Sequence, residues 1–433
     1  MKSIWQTNEN PQYNSLKKDF TADVLIIGGG IAGILCAYEL EKRKINYVLL
    51  EGKRILSGNT GSTTAKITVG HGLVYQKILK RYGKAVAKKY YTANNQALKK
   101  YKALSNIIPC DFEIGDLYIY SKTDYKKLHN EYEALRTIGV NAEICEAFEL
   151  PFETAGAIKH KNQAQFNPVK LLSSLARGLN IYENSFVFNV KGNTAFLKNC
   201  KVDFKKVIFA CHFPFVDRYG LYFLKMHQHR SYVLALKNAS KLGAMYVDEN
   251  NNGMSFRNYK DYLLLAGGGS KTGKKSGKFN ELKHLAKLYY PNAKIEYMFA
   301  AQDCITLDEM PYIGKYTSLK DNYFVATGFN TWGMTTAMVA SEILCDLVEG
   351  KKNDLADVFS PRRSMLHIKL FGNIFSAVIN LLTPTVPRCT HLGCALKYNE
   401  QEQTYECPCH GSRYSKNCEI LDNPTTKDKK IKS

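Results

Sequence analysis

Residues 22–33 read Ala-Asp-Val-Leu-Ile-Ile-Gly28-Gly-Gly30-Ile-Ala-Gly33, and this stretch decides the fold. The short apolar run 22–27 predicts a strand buried on both faces, as in a parallel sheet. It breaks into Gly-x-Gly-x-x-Gly, which opens the amphipathic stretch 34–44. A second apolar run, Tyr47-Val-Leu-Leu50, ends at Glu51. Strand, glycine turn, helix, strand and acid in that order form a dinucleotide-binding βαβ unit. Gly28 makes the tight turn, and Gly30 lets backbone amides, those of Ile31 and Ala32 among them, approach a pyrophosphate. Gly33 permits close packing of helix on strand, and Glu51 is placed to accept ribose hydroxyls. The motif alone leaves FAD and NAD both open.

A second pattern lies far downstream. Cys389-Thr-His391-Leu-Gly-Cys394 is followed, twelve residues later, by Cys407-Pro-Cys409-His410-Gly-Ser412. Each box offers one Cys and one His at short range, so the pair can supply two thiolates and two imidazoles. An asymmetric [2Fe–2S] cluster takes such a set, with Cys on one iron and His on the other. Structural zinc is the rival, because Cys2His2 sets also hold that ion. The extra cysteines Cys394 and Cys409 count against zinc, since a closed tetrahedral site has no use for six ligands.

The two boxes resemble the disulfide-containing Rieske iron–sulfur proteins. The resemblance implies Cys389, His391, Cys407 and His410 as cluster ligands and a disulfide between Cys394 and Cys409. It also implies that the hydroxyls of Ser412 and Tyr414 hydrogen-bond cluster sulfurs, which raises the reduction potential. Upstream, the hydroxyl-rich stretch 57–68 (Ser-Gly-Asn-Thr-Gly-Ser-Thr-Thr-Ala-Lys-Ile-Thr) follows the acidic strand. Together with 302–314 and with 324–335, it resembles FAD-dependent oxidoreductases of the D-amino-acid-oxidase and glycine-oxidase type. That likeness covers roughly residues 20–350. It implies FAD as cofactor, with Thr63, Thr64, Val187, Gly328, Gly333, Met334 and Thr335 added to the binding residues. A helix N-terminus in the last segment would face the flavin ring and stabilise negative charge there.

At 433 residues the chain is too long for one core. Hydrophobic residues make up 45% and charged residues 23%, an ordinary globular balance. Residues 1–20 lack the pattern of a signal peptide, and no apolar run is long enough to span a bilayer, so a cytoplasmic location is expected. The formal charge of +21 is scattered along the chain. Nucleic-acid binding is therefore disfavoured against a solvated Lys-rich surface, with steering toward an acidic ferredoxin- or flavodoxin-like partner as a narrower use. Of the twelve cysteines, seven sit singly in apolar contexts and read as core, and Cys418 reads as a free surface thiol.

The expected fold class is α/β plus β. A Rossmann-like FAD domain (22–110, 155–215 and 305–350) carries an inserted antiparallel-sheet substrate domain (111–154 and 216–304). A connector (351–383) leads to a small Rieske β domain (384–433). The stretch 72–107 reads as two helices, and 181–190 as a strand. Gly267-Gly-Gly-Ser-Lys-Thr-Gly273-Lys-Lys-Ser276 nearly satisfies the phosphate-loop pattern, but Lys275 stands where a hydroxyl is required, so a plain glycine-rich turn is preferred. Residues 368–382 form an apolar, partly amphipathic segment. It is read as a helix docking the small domain onto the flavoprotein, with a membrane-surface anchor as the alternative.

These parts predict an oxidoreductase in which a small organic donor, amine or amino-acid like, reduces FAD. The cluster then passes electrons singly to a protein acceptor. The alternative is an iron–sulfur flavoprotein carrier or redox sensor with no small substrate. Lys66, His71 and His212 are the candidate acid–base residues, each with a structural role as the competing reading. Arg230 and Arg257 are candidates for a substrate-carboxylate clamp, with surface positions equally open.

Overall fold

The computed structural model describes residues 2–6, 10–146, 149–216, 219–250, 252–364, 367–384 and 387–427. Strands Tyr47–Leu50, Phe20–Ile27, Lys201–Phe209 and Lys320–Thr327 lie side by side and parallel, forming the spine of an eight-stranded sheet. Val24, Leu25, Ile26 and Ile27 are all buried, which explains their unbroken apolar run. Alternate residues serve different cores. Val24 and Ile26 pack with helices Ile31–Lys42 and Gly333–Glu349, while Leu25 and Ile27 join the core on the opposite face. Residues 181–190 are not one strand: Ile181–Tyr182 extends the parallel sheet, Asn184 turns out with positive φ, and Asn189–Lys191 starts a side hairpin.

The nine-stranded sheet runs in the order Lys294–Thr306, Met226–Lys237, Tyr262–Lys271, Ser255–Tyr259, Met245–Asp248, Glu113–Ser121, Gly156–Gln165, Lys66–Ile67, with Glu143–Cys145 beside Gly156–Gln165. It is antiparallel except where Met245–Asp248 runs parallel to Glu113–Ser121. Strand Gly156–Gln165 belongs to this sheet, although 155–215 reads from sequence as part of the dinucleotide domain. One face, with Val233, Ala235, Leu264, Ala266 and Phe299, completes the core of the dinucleotide domain. The other, with Tyr232, Leu234, Leu236 and Leu265, packs beneath helix Lys278–Tyr289. Helix Tyr75–Ser105 is broken at Gly83 (φ 82°, ψ 174°), so the two expected helices abut at a glycine kink.

The third sheet is a four-stranded antiparallel meander of Lys397–Asn399, Thr404–Glu406, Arg413–Ser415 and Ile420–Asp422. Cys418, expected at the surface, is buried (4% exposed) in the turn between the last two strands. Helix Ile368–Leu382 departs from expectation more sharply. Asn373, Ser376, Ala377 and Asn380, at i, i+3, i+4 and i+7, form its half-buried side. Asn373 donates to Leu224 O (3.4 Å), and Ala395 N donates to Asn380 O (2.9 Å). Phe371, Ile374, Phe375, Val378, Ile379 and Leu382 are exposed. The helix docks by its polar edge and leaves its apolar face outward.

Candidate functional site: a cavity walled by two sheets and a cluster loop

A cavity of about 470 Å³ opens where the parallel strands end against the nine-stranded sheet. Its floor is the glycine turn. Gly28 has φ +112°, and a Cβ there would lie 2.5 Å from Ala210 O; a Cβ on Gly33 would lie 1.8 Å from Gly28 O. Both positions exclude any side chain, so strand, helix and ligand can approach closely. Helix Ile31–Lys42 starts on Gly30 with no side-chain cap from that residue, and its first amide, Ile31 N, donates to Thr60 Oγ1 (2.9 Å). A helix N-terminus presented without a fixed charge suits a pyrophosphate. Glu51 sits on the wall and accepts from Gly29 N (2.7 Å) and Lys53 N (2.8 Å). Burial pushes its carboxyl up, against the pull of those amides.

Gly28, Gly30, Ile31, Ala32, Glu51, Thr63, Val187, Gly328, Gly333 and Met334 all line the cavity, whereas Gly33, Thr64 and Thr335 stand behind it. The glycine turn, with its helix N-terminus and a cradle closed to Cβ atoms, fits FAD.

The three acid–base candidates are not brought together. His212 is on the wall, with φ 69° and Nε2 donating to Gln228 Oε1 (3.2 Å). Burial lowers its pKa. His71 is sealed off: Nε2 donates to Thr68 O (2.8 Å), Nδ1 accepts from the Tyr90 hydroxyl (2.8 Å), and the ring stacks on Trp332. Burial holds its pKa near 3, so the ring is neutral. Lys66 is also off the lining, bonded to Ser255 Oγ, and burial, then Arg257, brings its pKa down to about 7.

Both arginines are engaged by protein groups, although Arg230 lines the cavity. Arg257, fully buried, donates to Thr64 O (2.7 Å), Ala65 O (2.9 Å) and Phe166 O (3.2 Å), pinning two chain segments to its own strand. Arg230 is buried and forms a two-pronged pair with Glu402 of the third sheet. Glu402 also meets Arg413, whose Nη1 donates to Asp422 Oδ2 (2.8 Å). A surface reading of Arg230 is therefore corrected to a buried domain-to-domain ion network.

Sequence reading missed that the third sheet closes this cavity. Arg413, Leu421, Asp422 and Asn423 line it, and Asn423 Nδ2 donates to Phe213 O (2.7 Å). It also missed Asp303 as a site residue. By strand alternation Asp303 shares the cavity-side face of its strand with Ala301 and Phe299.

The two boxes meet at one end of the third sheet. Cys394 and Cys409 form a disulfide. Cys389 and Cys407 are buried (4% and 1% exposed), and their thiols lie against each other. The His391 and His410 rings are paired edge to face with centroids 5.1 Å apart. Buried His410 Nδ1 makes no hydrogen bond. Paired thiols beside paired imidazoles, with an orphaned ring nitrogen, fit a Cys2His2 cluster. The Sγ of Cys407 also lies within 4.8 Å of both disulfide sulfurs, but sulfurs spent on each other are not thiolate ligands. Tyr414 OH lies 3.4 Å from Cys389 Sγ.

The second box is bonded to the cavity wall. Gln228 Nε2 donates to His410 O (2.7 Å), and Gln302 Nε2 to Gly411 O (2.8 Å). Gln302 Nε2 also donates to Gln228 Oε1 (2.6 Å), and Gln302 N to Asn59 Oδ1 (3.0 Å) of the cavity loop. The phosphate-loop lookalike serves here as a seat. A Cβ on Gly273 would lie 2.8 Å from Pro408 N, and Gly273 N donates to Glu406 Oε2 (3.0 Å).

Comparisons with known proteins agree with this geometry. The model of the FAD dependent oxidoreductase family DAO matches residues 23–347, and that of the Rieske [2Fe-2S] domain matches residues 365–432. The putative Rieske 2Fe-2S iron-sulfur protein YhfW of Bacillus subtilis is 32% identical, covering 98% of this chain and 96% of its own. The gamma-glutamylputrescine oxidoreductase of Escherichia coli is 24% identical, covering 79% of this chain and 87% of its own. In structure, glycine oxidase from Geobacillus kaustophilus superposes with a TM-score of 0.66 at 21% identity, covering 80% of this chain and 99% of that one. FAD and a [2Fe–2S] cluster are thus the cofactors, and the chain belongs to the DAO family of FAD-dependent oxidoreductases, joined to a Rieske domain.

Proposed function

We propose that this oxidoreductase takes electrons from a small amine- or amino-acid-like donor at the flavin and delivers them singly, by way of its Rieske domain, to a protein acceptor. One observation carries the reading: the second cluster box is hydrogen-bonded, through Gln228 and Gln302, to the strands and loop that wall the cavity. FAD when bound accepts an electron pair, whereas a [2Fe–2S] cluster exchanges one electron at a time. A chain holding both a few hydrogen bonds apart is built to convert two-electron into one-electron chemistry.

Within the chain, the amides of Gly30, Ile31 and Ala32 would hold the pyrophosphate, and Glu51 the ribose. The N-terminus of helix Gly333–Glu349 would face the flavin ring, with Gly333 and Met334 on the wall. Cys389, Cys407, His391 and His410 would hold the cluster. His212, facing the cavity beside Gln228, orients at the junction of the two halves. The excess of positive charge suits an acidic acceptor such as a ferredoxin- or flavodoxin-like protein.

The test is an anaerobic titration with candidate amines and amino acids, followed by visible and EPR spectra. The proposal expects flavin bleaching by a donor, together with the EPR signal of a reduced Rieske cluster. Reduction by a protein carrier alone, with every small donor inert, would make the chain a carrier without its own substrate. One zinc and no iron per chain would remove the cluster altogether.

A further inference from the structure

The cavity wall contributed by strand Lys294–Thr306 is apolar except at one point. Ala300, Ala301, Asp303 and Cys304 line it, and the Asp303 carboxylate has no hydrogen bond or ion pair among the described residues. The arginines around it are already committed. Arg230 is held by Glu402, and Arg413 by Glu402 and Asp422. His229, opposite Asp303 on the adjacent strand, is kept neutral by burial, with its pKa near 4. Lys271, one strand further, has its pKa lowered to about 8 by burial, and His212 is lowered as well. Cys304, the next residue, has its thiol pushed well up by burial. Asp303 itself is raised to about 7, with desolvation as the cause. An unpaired carboxylate in such a wall is costly unless a cation joins it.

We propose that Asp303 is the anchor for the donor's amino group, so that the substrate is a cationic amine held by its nitrogen rather than an amino acid held by its carboxylate. This deepens the function proposed above and rests on it. The two arginines that could have clamped a carboxylate are spent elsewhere, and the other cations of the lining are held too, Arg54 by Glu183 and Lys53 by Leu421 O, so the wall at Asp303 offers its partner to an ammonium ion. Asp303 then has a second task. An ammonium N–H bond breaks, the proton passes to an Asp303 carboxylate oxygen, and the electron pair stays on nitrogen. The donor is left as the neutral amine needed for oxidation. A carboxyl titrating near neutrality suits both binding the cation and taking its proton.

The test uses the FAD-loaded protein and tert-butylammonium, which has no α-hydrogen and cannot be oxidised. Pivalate is the anion of matched shape. Binding is read from perturbation of the bound flavin's visible spectrum and from thermal shift. Wild type binds tert-butylammonium in preference to pivalate, more tightly as pH rises through 7. Asp303→Asn weakens the cation at least about tenfold with flavin content unchanged, and Asp303→Glu restores part of the loss. Equal or better binding of pivalate by wild type would overturn the proposal. So would a cation affinity unchanged in Asp303→Asn, or loss of FAD from that variant. Failure of every amine to reduce the flavin, with this binding intact, would sink the donor assignment alone.

An independent observation concerns helix Ile368–Leu382. Its apolar stripe of Phe371, Ile374, Phe375, Val378, Ile379 and Leu382 is exposed, and so is Leu392, next to His391 in the first cluster box. From residue 358 to residue 399 the sequence has no Asp or Glu. Of its cations, Arg362 and Lys397 are exposed, and Lys369 is half-exposed beside Glu309, whereas Arg363 is buried on Asp308 and Arg388 holds backbone carbonyls. We infer that this face seats on an anionic bilayer surface, with Phe371 and Phe375 in the headgroup–acyl boundary and the exposed cations among lipid phosphates. No described helix is long and apolar enough to cross a membrane, so contact would be superficial. Sedimentation with phosphatidylglycerol-containing vesicles should carry the protein down, weakly at high salt. Phosphatidylcholine alone should not, and Phe371→Ser with Phe375→Ser should release it at least about tenfold. Absence from anionic vesicles would overturn the inference, as would a dimer dissolved by the same substitutions.

Discussion

The two cluster boxes carry the same ligand types and live in opposite surroundings. The second, from Cys407 to Ser412, faces inward. His410 is 4% exposed, its carbonyl and that of Gly411 are gripped by Gln228 and Gln302, and the Phe223 ring abuts its imidazole. The first, from Cys389 to Cys394, faces outward. Its supports are the exposed helix Ile368–Leu382 and Arg388, which donates to Leu381 O (2.9 Å) and Thr383 O (2.6 Å). His391 is half-buried, and Leu392 next to it is exposed. Under the function proposed above, the buried box is the inlet from the flavin and the outer box the outlet.

Breaking a ligand has the largest effect on this contrast. Cys407→Ser removes a buried thiolate, so the cluster's visible and EPR signals should vanish. The FAD spectrum should survive, and one-electron acceptors should no longer be reduced through the chain. Next comes the clamp between the boxes. Replacing Cys394 and Cys409 by Ala opens a disulfide spanning 15 residues, worth about 3 kcal/mol by loop closure. Denaturation followed at the cluster band should shift accordingly, while flavin release should not.

A sharper test separates inlet from outlet. Gln228→Leu strands the buried carbonyls of His410 and Asn423, at about 1–3 kcal/mol. It should also slow electron transfer between flavin and cluster. Arg388→Ala should cost about 1 kcal/mol of stability and leave that internal rate unchanged. The smallest effect is electronic. Tyr414→Phe removes the hydroxyl 3.4 Å from Cys389 Sγ. Losing about 1 kcal/mol of preference for the reduced cluster lowers its potential by ~40 mV, readable by redox titration.

Local patterns were legible in the sequence wherever chemistry sits within a few residues. The Gly28 turn, the two helical stretches within 72–107, and both boxes could be read directly, because each is fixed by neighbours in the chain. What the sequence hid is set by distant partners. Gly273 is a glycine because Pro408 rests on it, 135 residues away. Arg230 looks like a surface or substrate arginine until Glu402 is brought against it. Helix Ile368–Leu382 has ordinary amphipathic spacing, but spacing cannot tell which face points inward, and here the apolar face is outside. Asp303 stood in a segment read as leading to the flavin. Only the sheet register puts it on the cavity side, away from Gln302, which turns toward the cluster.

The central claim is that FAD and the cluster exchange electrons within one chain, across Gln228 and Gln302. It is tested most directly by reducing the flavin with a brief light pulse under anaerobic conditions and following the cluster's absorbance at several protein concentrations. The account predicts a single rate independent of concentration and slowed by Gln228→Leu. A rate proportional to protein concentration, or a cluster that stays oxidised beside a reduced flavin, would contradict it.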